Sequence, residues 1–195
     1  VRDLAIAGDG EPTASPQFAG AVDRLGQVCE AHGLQFGSGS GLRLNLLTNA
    51  TLFHRKKVWK ALCRFSELGG EIWAKLDAGT QEAFERVDGT RLSLDRVVSN
   101  LILAASRWPI VLQCLFMEWE GQRPSDLEIE AWVGRLRQIL DAGGRIRLVQ
   151  VYTLARRPAD ERAGILPKAE LDRIASRARE LGLVVEVSAG VEWET

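Results

Sequence analysis

Strand-like and helix-like patterns of apolar residues alternate along the whole chain. A short apolar run, "LAIAG" at residues 4–8, predicts a buried strand. From about Phe18 to His32 the residues Val22, Leu25, Val28 and Cys29 fall on one face at helical spacing. "LRLNLLTN" (42–49) predicts the next strand, a helix follows from about Leu52 to Phe65, and "EIWAKLDA" (71–78) predicts a third strand. Ser93 stands where an N-cap belongs, ahead of Leu94, Val97, Val98, Leu101 and Ile102, and that helix ends before Trp108–Pro109. "IVLQCLFM" (110–117) is the fourth predicted strand. Ile129, Trp132, Val133, Leu136, Ile139 and Leu140 then share a helix face closed by Gly143–Gly144. "RIRLVQVYTL" (145–154), a helix from about Lys168 to Leu181, and "LVVEVS" (183–188) complete the series.

This rhythm implies parallel strands joined by right-handed crossovers, in an open doubly wound sheet or a (β/α) barrel. No internal repeat or domain linker interrupts it, so residues 1–195 read as a single domain. "GSGSG" (37–41) precedes a strand instead of following one, which suits a flexible connection better than a phosphate loop.

Polar residues inside such strands carry information, because parallel strands are normally covered on both faces. Alternation puts Trp73, Lys75 and Asp77 on one face of the third strand and Ile72, Ala74 and Leu76 on the other. The first set then points to a barrel interior or a ligand crevice, where Lys75 and Asp77 could equally pair with each other. Gln113 is the lone amide of its strand, Asn45 and Asn49 share a face, and so do Gln150 and Tyr152. Each alone suits a structural hydrogen bond. Together they cluster toward the C-terminal strand ends, where small-molecule sites form in barrels and open sheets alike. The turn "GDGEPT" belongs to the same rim. Gly8 and Gly10 would expose backbone groups, Pro12 fixes the turn, and the Glu11 carboxylate could orient an ammonium or the turn itself.

Composition narrows the classes. A net charge of −1 argues against a grip on nucleic acid, which needs a surplus of Lys and Arg. No apolar run approaches the ~20 residues of a membrane span and no signal peptide is visible, so a cytoplasmic protein is expected. Cys29, Cys63 and Cys114 are far apart, without ligand spacing, and read as buried free thiols. His32 and His54 have no partner at metal-ligand spacing. The chain opens at Val1 and enters a strand almost at once, which reads as part of a longer protein.

"GDGEPT", "LLTNA" and "AKLDAGT" in successive strands, followed by "LQCLF" and "VQVYTLARRP", resemble the radical S-adenosylmethionine (SAM) superfamily. The resemblance implies an α/β fold, a partial (β/α)6 TIM-like barrel of parallel strands, with a 4Fe-4S cluster and SAM at its open end. The family's Gly-Gly-Glu-Pro turn binds the SAM amino group, and Gly10, Glu11 and Pro12 match it, with Asp9 in place of the first glycine and Gly8 before it. Thr48 and Asn49 match the polar end of the next strand. Lys75 and Asp77 match the strand whose polar residues touch the SAM ribose or carboxylate, Gln113 is a further candidate for those contacts, and Gln150 and Tyr152 would lie by the adenine. The family's C-x-x-x-C-x-x-C loop is absent, so the first βα unit, with the cluster ligands, is expected upstream of Val1.

The resemblance implies reductive cleavage of SAM to a 5′-deoxyadenosyl radical in an intact parent, and inactivity of this chain alone. Two other readings stand beside it. One is a non-catalytic barrel acting as a binding or scaffold module. The other is an unrelated barrel enzyme using Lys75 and Asp77 for acid–base or Schiff-base chemistry. If the first strand is an edge, its short apolar segment invites self-association.

Overall fold

The computed structural model describes residues 3–8, 10–37 and 41–190. Six strands form one all-parallel sheet: β1 (Asp3–Ile6), β2 (Arg43–Thr48), β3 (Gly70–Lys75), β4 (Ile110–Leu115), β6 (Ile146–Tyr152) and β8 (Val185–Ser188). Between them run helices α1 (Phe18–His32), α2 (Lys56–Glu67), α3 (Gln81–Asp88), α4 (Leu94–Arg107), α5 (Asp126–Asp141) and α6 (Lys168–Arg179). Two short strands, β5 (Glu118–Trp119) and β7 (Ala163–Gly164), pair antiparallel at the rim.

The strands lie in the order β1-β2-β3-β4-β6-β8, so each new strand is added beside the last and the order never reverses. A doubly wound sheet has a switch point where its order reverses, and this sheet has none. The winding is that of a barrel left open between β1 and β8. One face carries Leu44, Leu46, Ile72, Ala74, Ile110, Leu112, Cys114, Val149 and Val151, all packed in a single core with residues of the helices. The opposite face carries Glu71, Trp73, Lys75, Gln113 and Gln150, each only half-buried. Helices therefore cover one side, and the polar strand residues line the concave side.

The helix boundaries follow local chemistry. Ser125 and Glu128 form a complete capping box at the start of α5, and the Ser93 hydroxyl accepts from the Arg96 N–H at the start of α4. Helix α2 begins at Lys56, four residues later than the apolar pattern suggests, because residues 51–55 are occupied by a turn in which Arg55 N–H donates to the Leu52 carbonyl. The third strand ends at Lys75, short of the predicted 78, and Asp77 lies in the loop beyond it.

That loop approaches α5 closely. Trp132 Nε1 donates to the Leu76 carbonyl at 3.1 Å, and a Cβ at Gly79 would stand 2.0 Å from the Trp132 nitrogen. Only a residue without a side chain fits there. Gly89 ends α3 at φ 60 with open space around it, so its requirement is purely conformational. Gly79→Ala should lower unfolding free energy by about 3 kcal/mol or more through overpacking against fixed backbone, and Gly89→Ala by about 1 kcal/mol. Denaturant unfolding checks the order; equal costs would contradict the close approach.

Candidate functional site

The C-terminal ends of β1 to β4 and β6 open into a cleft of about 450 Å³. That lies within the range of roughly 300–1,000 Å³ common for small-molecule sites. Among the residues singled out in the sequence, Gly8, Gly10 and Glu11 line it from the first loop. Thr48 and Asn49 line it from the end of β2, Lys75 from β3, Gln113 from β4 and Tyr152 from β6. Asp77, Pro12 and Gln150 are not part of its wall. Asp9 lies outside the described residues.

Glu11 holds the first two walls together. Its Oε1 accepts from the Thr13 N–H at 3.1 Å, the Thr13 hydroxyl at 2.5 Å and the Thr48 hydroxyl at 2.7 Å. Its Oε2 accepts from the Asn49 N–H at 2.6 Å. The carboxylate thus caps the short 3-10 turn Pro12–Ala14 and ties it to the end of β2. Of the two tasks that its sequence position left open, it performs the structural one, orienting the turn. Gly8 and Gly10 line the cleft with nothing within 4 Å of where a Cβ would stand at either, and the Gly10 N–H donates to the Gly8 carbonyl at 3.0 Å. Gly10 adopts φ 124, a conformation that suits glycine.

On the concave face Lys75, Gln113, Gln150 and Glu186 occupy one register row across four strands. Gln113 Nε2 donates to Gln150 Oε1 at 3.2 Å, so Gln150 acts behind Gln113 and orients its amide. Lys75 Nζ lies 2.7 Å from Asp77 Oδ2 and 3.1 Å from Asp88 Oδ1. Asp77 Oδ1 accepts from the Leu115 N–H at 2.7 Å, which joins the β3 loop to the end of β4. The Asp77 side chain is fully buried, whereas that of Lys75 keeps 37% of its exposure.

The charges of this pair pull against each other. Burial pushes the Asp77 carboxyl up to about 7, in spite of the opposing effects of Lys75 and the Leu115 N–H. The Asp77 charge, and less strongly that of Asp88, holds the Lys75 ammonium well above the ordinary lysine range. Burial, with the nearby Asp77 charge, also raises the Tyr152 phenol. Lys75 is therefore a firmly protonated cation, not a free amine.

Some cleft residues carry no signal in the sequence pattern. Phe84 and Asp88 come from α3, and Thr90 and Leu92 follow it. This helix is only eight residues long, and its apolar face is confined to Ala83, Phe84 and Val87, a short run at helical spacing. Its clearest signature is at its ends, where the Thr80 hydroxyl accepts from the Ala83 N–H and Gly89 closes the helix.

The thiols do not fit an iron–sulfur cluster. Cys29 is on α1, Cys63 on α2 and Cys114 on the helix-covered face of β4. Burial pushes the Cys114 thiol upward, away from the thiolate a metal needs. Among the described residues no group of three His, Cys, Asp or Glu side chains could hold a metal ion. Nor is any helix among them long and apolar enough to cross a membrane.

No protein-family model matches the chain, and no curated protein does. Solved structures do match. A domain of a pyruvate-formate lyase-activating enzyme from Bacteroides vulgatus ATCC 8482 superposes with a TM-score of 0.66 at 14% identity, covering 95% of this chain and 98% of that one. A radical SAM methyltransferase from Sphaerobacter thermophilus superposes with a TM-score of 0.65 at 15% identity, covering 96% of this chain and 51% of that one. At such identities the likeness is one of fold: the chain shares the parallel α/β partial-barrel architecture of these two structures.

Proposed function

We propose that this chain is the SAM-binding core of a radical SAM protein, a single domain whose cluster ligands lie elsewhere in the full protein. The observation that carries this reading is the convergence of Gly8, Gly10, Glu11, Thr48, Asn49, Lys75, Gln113 and Tyr152 on one cleft at the strand ends. The uncrowded turn at Gly8 and Gly10 leaves room for the amino end of SAM, whose ammonium would meet main-chain carbonyl oxygens there. Asn49, Gln113 and Tyr152 offer amide and hydroxyl groups for the ribose and adenine. Lys75 supplies a fixed positive charge near the SAM carboxylate. Asp77 and Gln150 act as positioning residues, Asp77 by holding Lys75 and Gln150 by orienting Gln113.

The missing thiolate triad favours a second reading, a barrel that binds a small molecule without radical chemistry. An acid–base or Schiff-base enzyme built on Lys75 and Asp77 is less well supported. The Lys75 ammonium is held by two carboxylates, and a Schiff base requires the neutral amine.

Calorimetric titration of SAM separates these readings. Wild type should bind, and Gln113→Leu and Asn49→Ala should each weaken binding about tenfold, as expected for loss of a buried hydrogen bond. Their unfolding should stay cooperative. Failure of the wild-type chain to bind SAM at millimolar concentration, or unchanged affinity in both variants, would remove SAM from this cleft.

The buried pair makes a pH prediction. The folded chain holds the Asp77 proton more tightly than the unfolded chain, where aspartate titrates near about 4. This group's contribution to stability is therefore complete below that value and is lost as the pH rises through 7. Asp77→Asn keeps an acceptor for the Leu115 N–H and removes the titration. Between pH 4 and 8 wild type should lose stability relative to this variant, and parallel unfolding profiles would contradict the buried carboxyl.

A further inference from the structure

Beside the cofactor cleft the rim carries a second concavity, of about 340 Å³. Thr51 and Leu92 line both, so the two are contiguous. The charged lining of the second is of one sign: Arg55, Arg91 and Arg96, joined by His54, with no carboxylate among the lining residues. Lys56 and Lys57 follow directly in the chain, a local basic excess in a protein of net charge −1.

Several arginines of the chain lie against carboxylates, as at Arg86–Glu128, Arg147–Glu71 and Arg173–Glu170, while others, such as Arg145 and Arg179, meet only backbone carbonyls. Among the described residues no carboxylate pairs with Arg55, Arg91 or Arg96. The nearby acidic side chains are engaged elsewhere: Asp95 lies 2.9 Å from Arg135 Nη2 and Asp88 is held by Lys75. Helix α2 starts beside the notch, and its N-cap residue Arg55 supplies no side-chain acceptor, so its first N–H groups add to the positive potential. Isolated surface arginines are usually just solvated. Here three exposed arginines line one concavity with no carboxylate in its wall, beside His54, whose Nδ1 lies 3.3 Å from the Asn100 amide nitrogen.

We propose that this notch binds the phosphate of a phosphate monoester substrate, whose organic part passes Leu92 toward the cofactor cleft. Three guanidinium groups present more forked donors than the two oxygens of a carboxylate can accept, and the three terminal oxygens of a phosphate monoester match them better. Leu92 is 50% exposed at the junction, an apolar contact for the ester's organic part. The placement of that part rests on the reading of the neighbouring cleft; the anion site does not.

Calorimetry on the full chain with inorganic phosphate and with phenyl phosphate tests this. Both probes should bind, more weakly at high salt. The double variant Arg91→Ala/Arg96→Ala should lose at least about tenfold in affinity for each. Its SAM affinity should stay within about twofold of wild type, because neither arginine lines the cofactor cleft. Phenyl phosphate should bind more tightly than inorganic phosphate, and equal affinities would overturn the ester assignment. No binding of either probe at millimolar concentration, or unchanged binding in the variant, would overturn the site. If wild type binds both phosphate probes but not SAM, the cofactor reading fails and the notch stands.

Discussion

The Glu11 carboxylate is the interaction on which the cleft depends. β1 is the edge strand of the sheet, only four residues long, and three of its residues are exposed. Such a strand adds little core, and a loop hanging from it would have no fixed place. By accepting from Thr13 and from the end of β2, Glu11 fixes the loop across the open end of the sheet. Gly8 and Gly10 then line the cleft in a defined position. A carboxylate with four protein donors at one rim is a costly arrangement to satisfy in an apolar core. At the ends of parallel strands, where backbone N–H groups emerge unpaired, it is easily met.

The remaining wall rests on the same geometry. Strands wound singly, with helices on one side, leave a concave face that can carry polar residues at no cost to the core. The row Lys75, Gln113, Gln150 and Glu186 is the result. Its members hold one another in place: Gln150 steadies Gln113, while Asp77 and Asp88 steady Lys75. The rim thereby carries the paired Lys75 charge in the strand-end cleft and, in the concavity beside it, three arginines with no carboxylate in the wall.

Much of this is legible in the sequence. The six parallel strands and the helices α1, α2, α4, α5 and α6 announce themselves through their apolar patterns, with N-caps marking α4 and α5. Local pattern alone leaves the choice between a doubly wound sheet and a barrel open, because strand order is a property of tertiary pairing; the motif resemblance points to the partial barrel, and the strand order agrees. Helix α3 escapes for a different reason. It is capped at both ends and packs Ala83 and Phe84 inward, and its apolar face spans barely two turns, too short a run to stand out in the sequence. Period-two alternation also fails at Asp77, since the chain leaves the strand after Lys75. The two side chains meet all the same, but one faces the cleft and the other is buried behind it.

Amide chemical-shift mapping by NMR, with SAM titrated into the chain, tests the central claim that the strand-end cleft is the cofactor site. The account predicts the largest shifts at Gly8, Gly10, Asn49 and Gln113 and at the Tyr152 strand end, with Arg91 and Arg96 nearly still. Shifts centred instead on Met117 and Trp119, in the separate cavity of about 270 Å³ beyond Asp77, would contradict it.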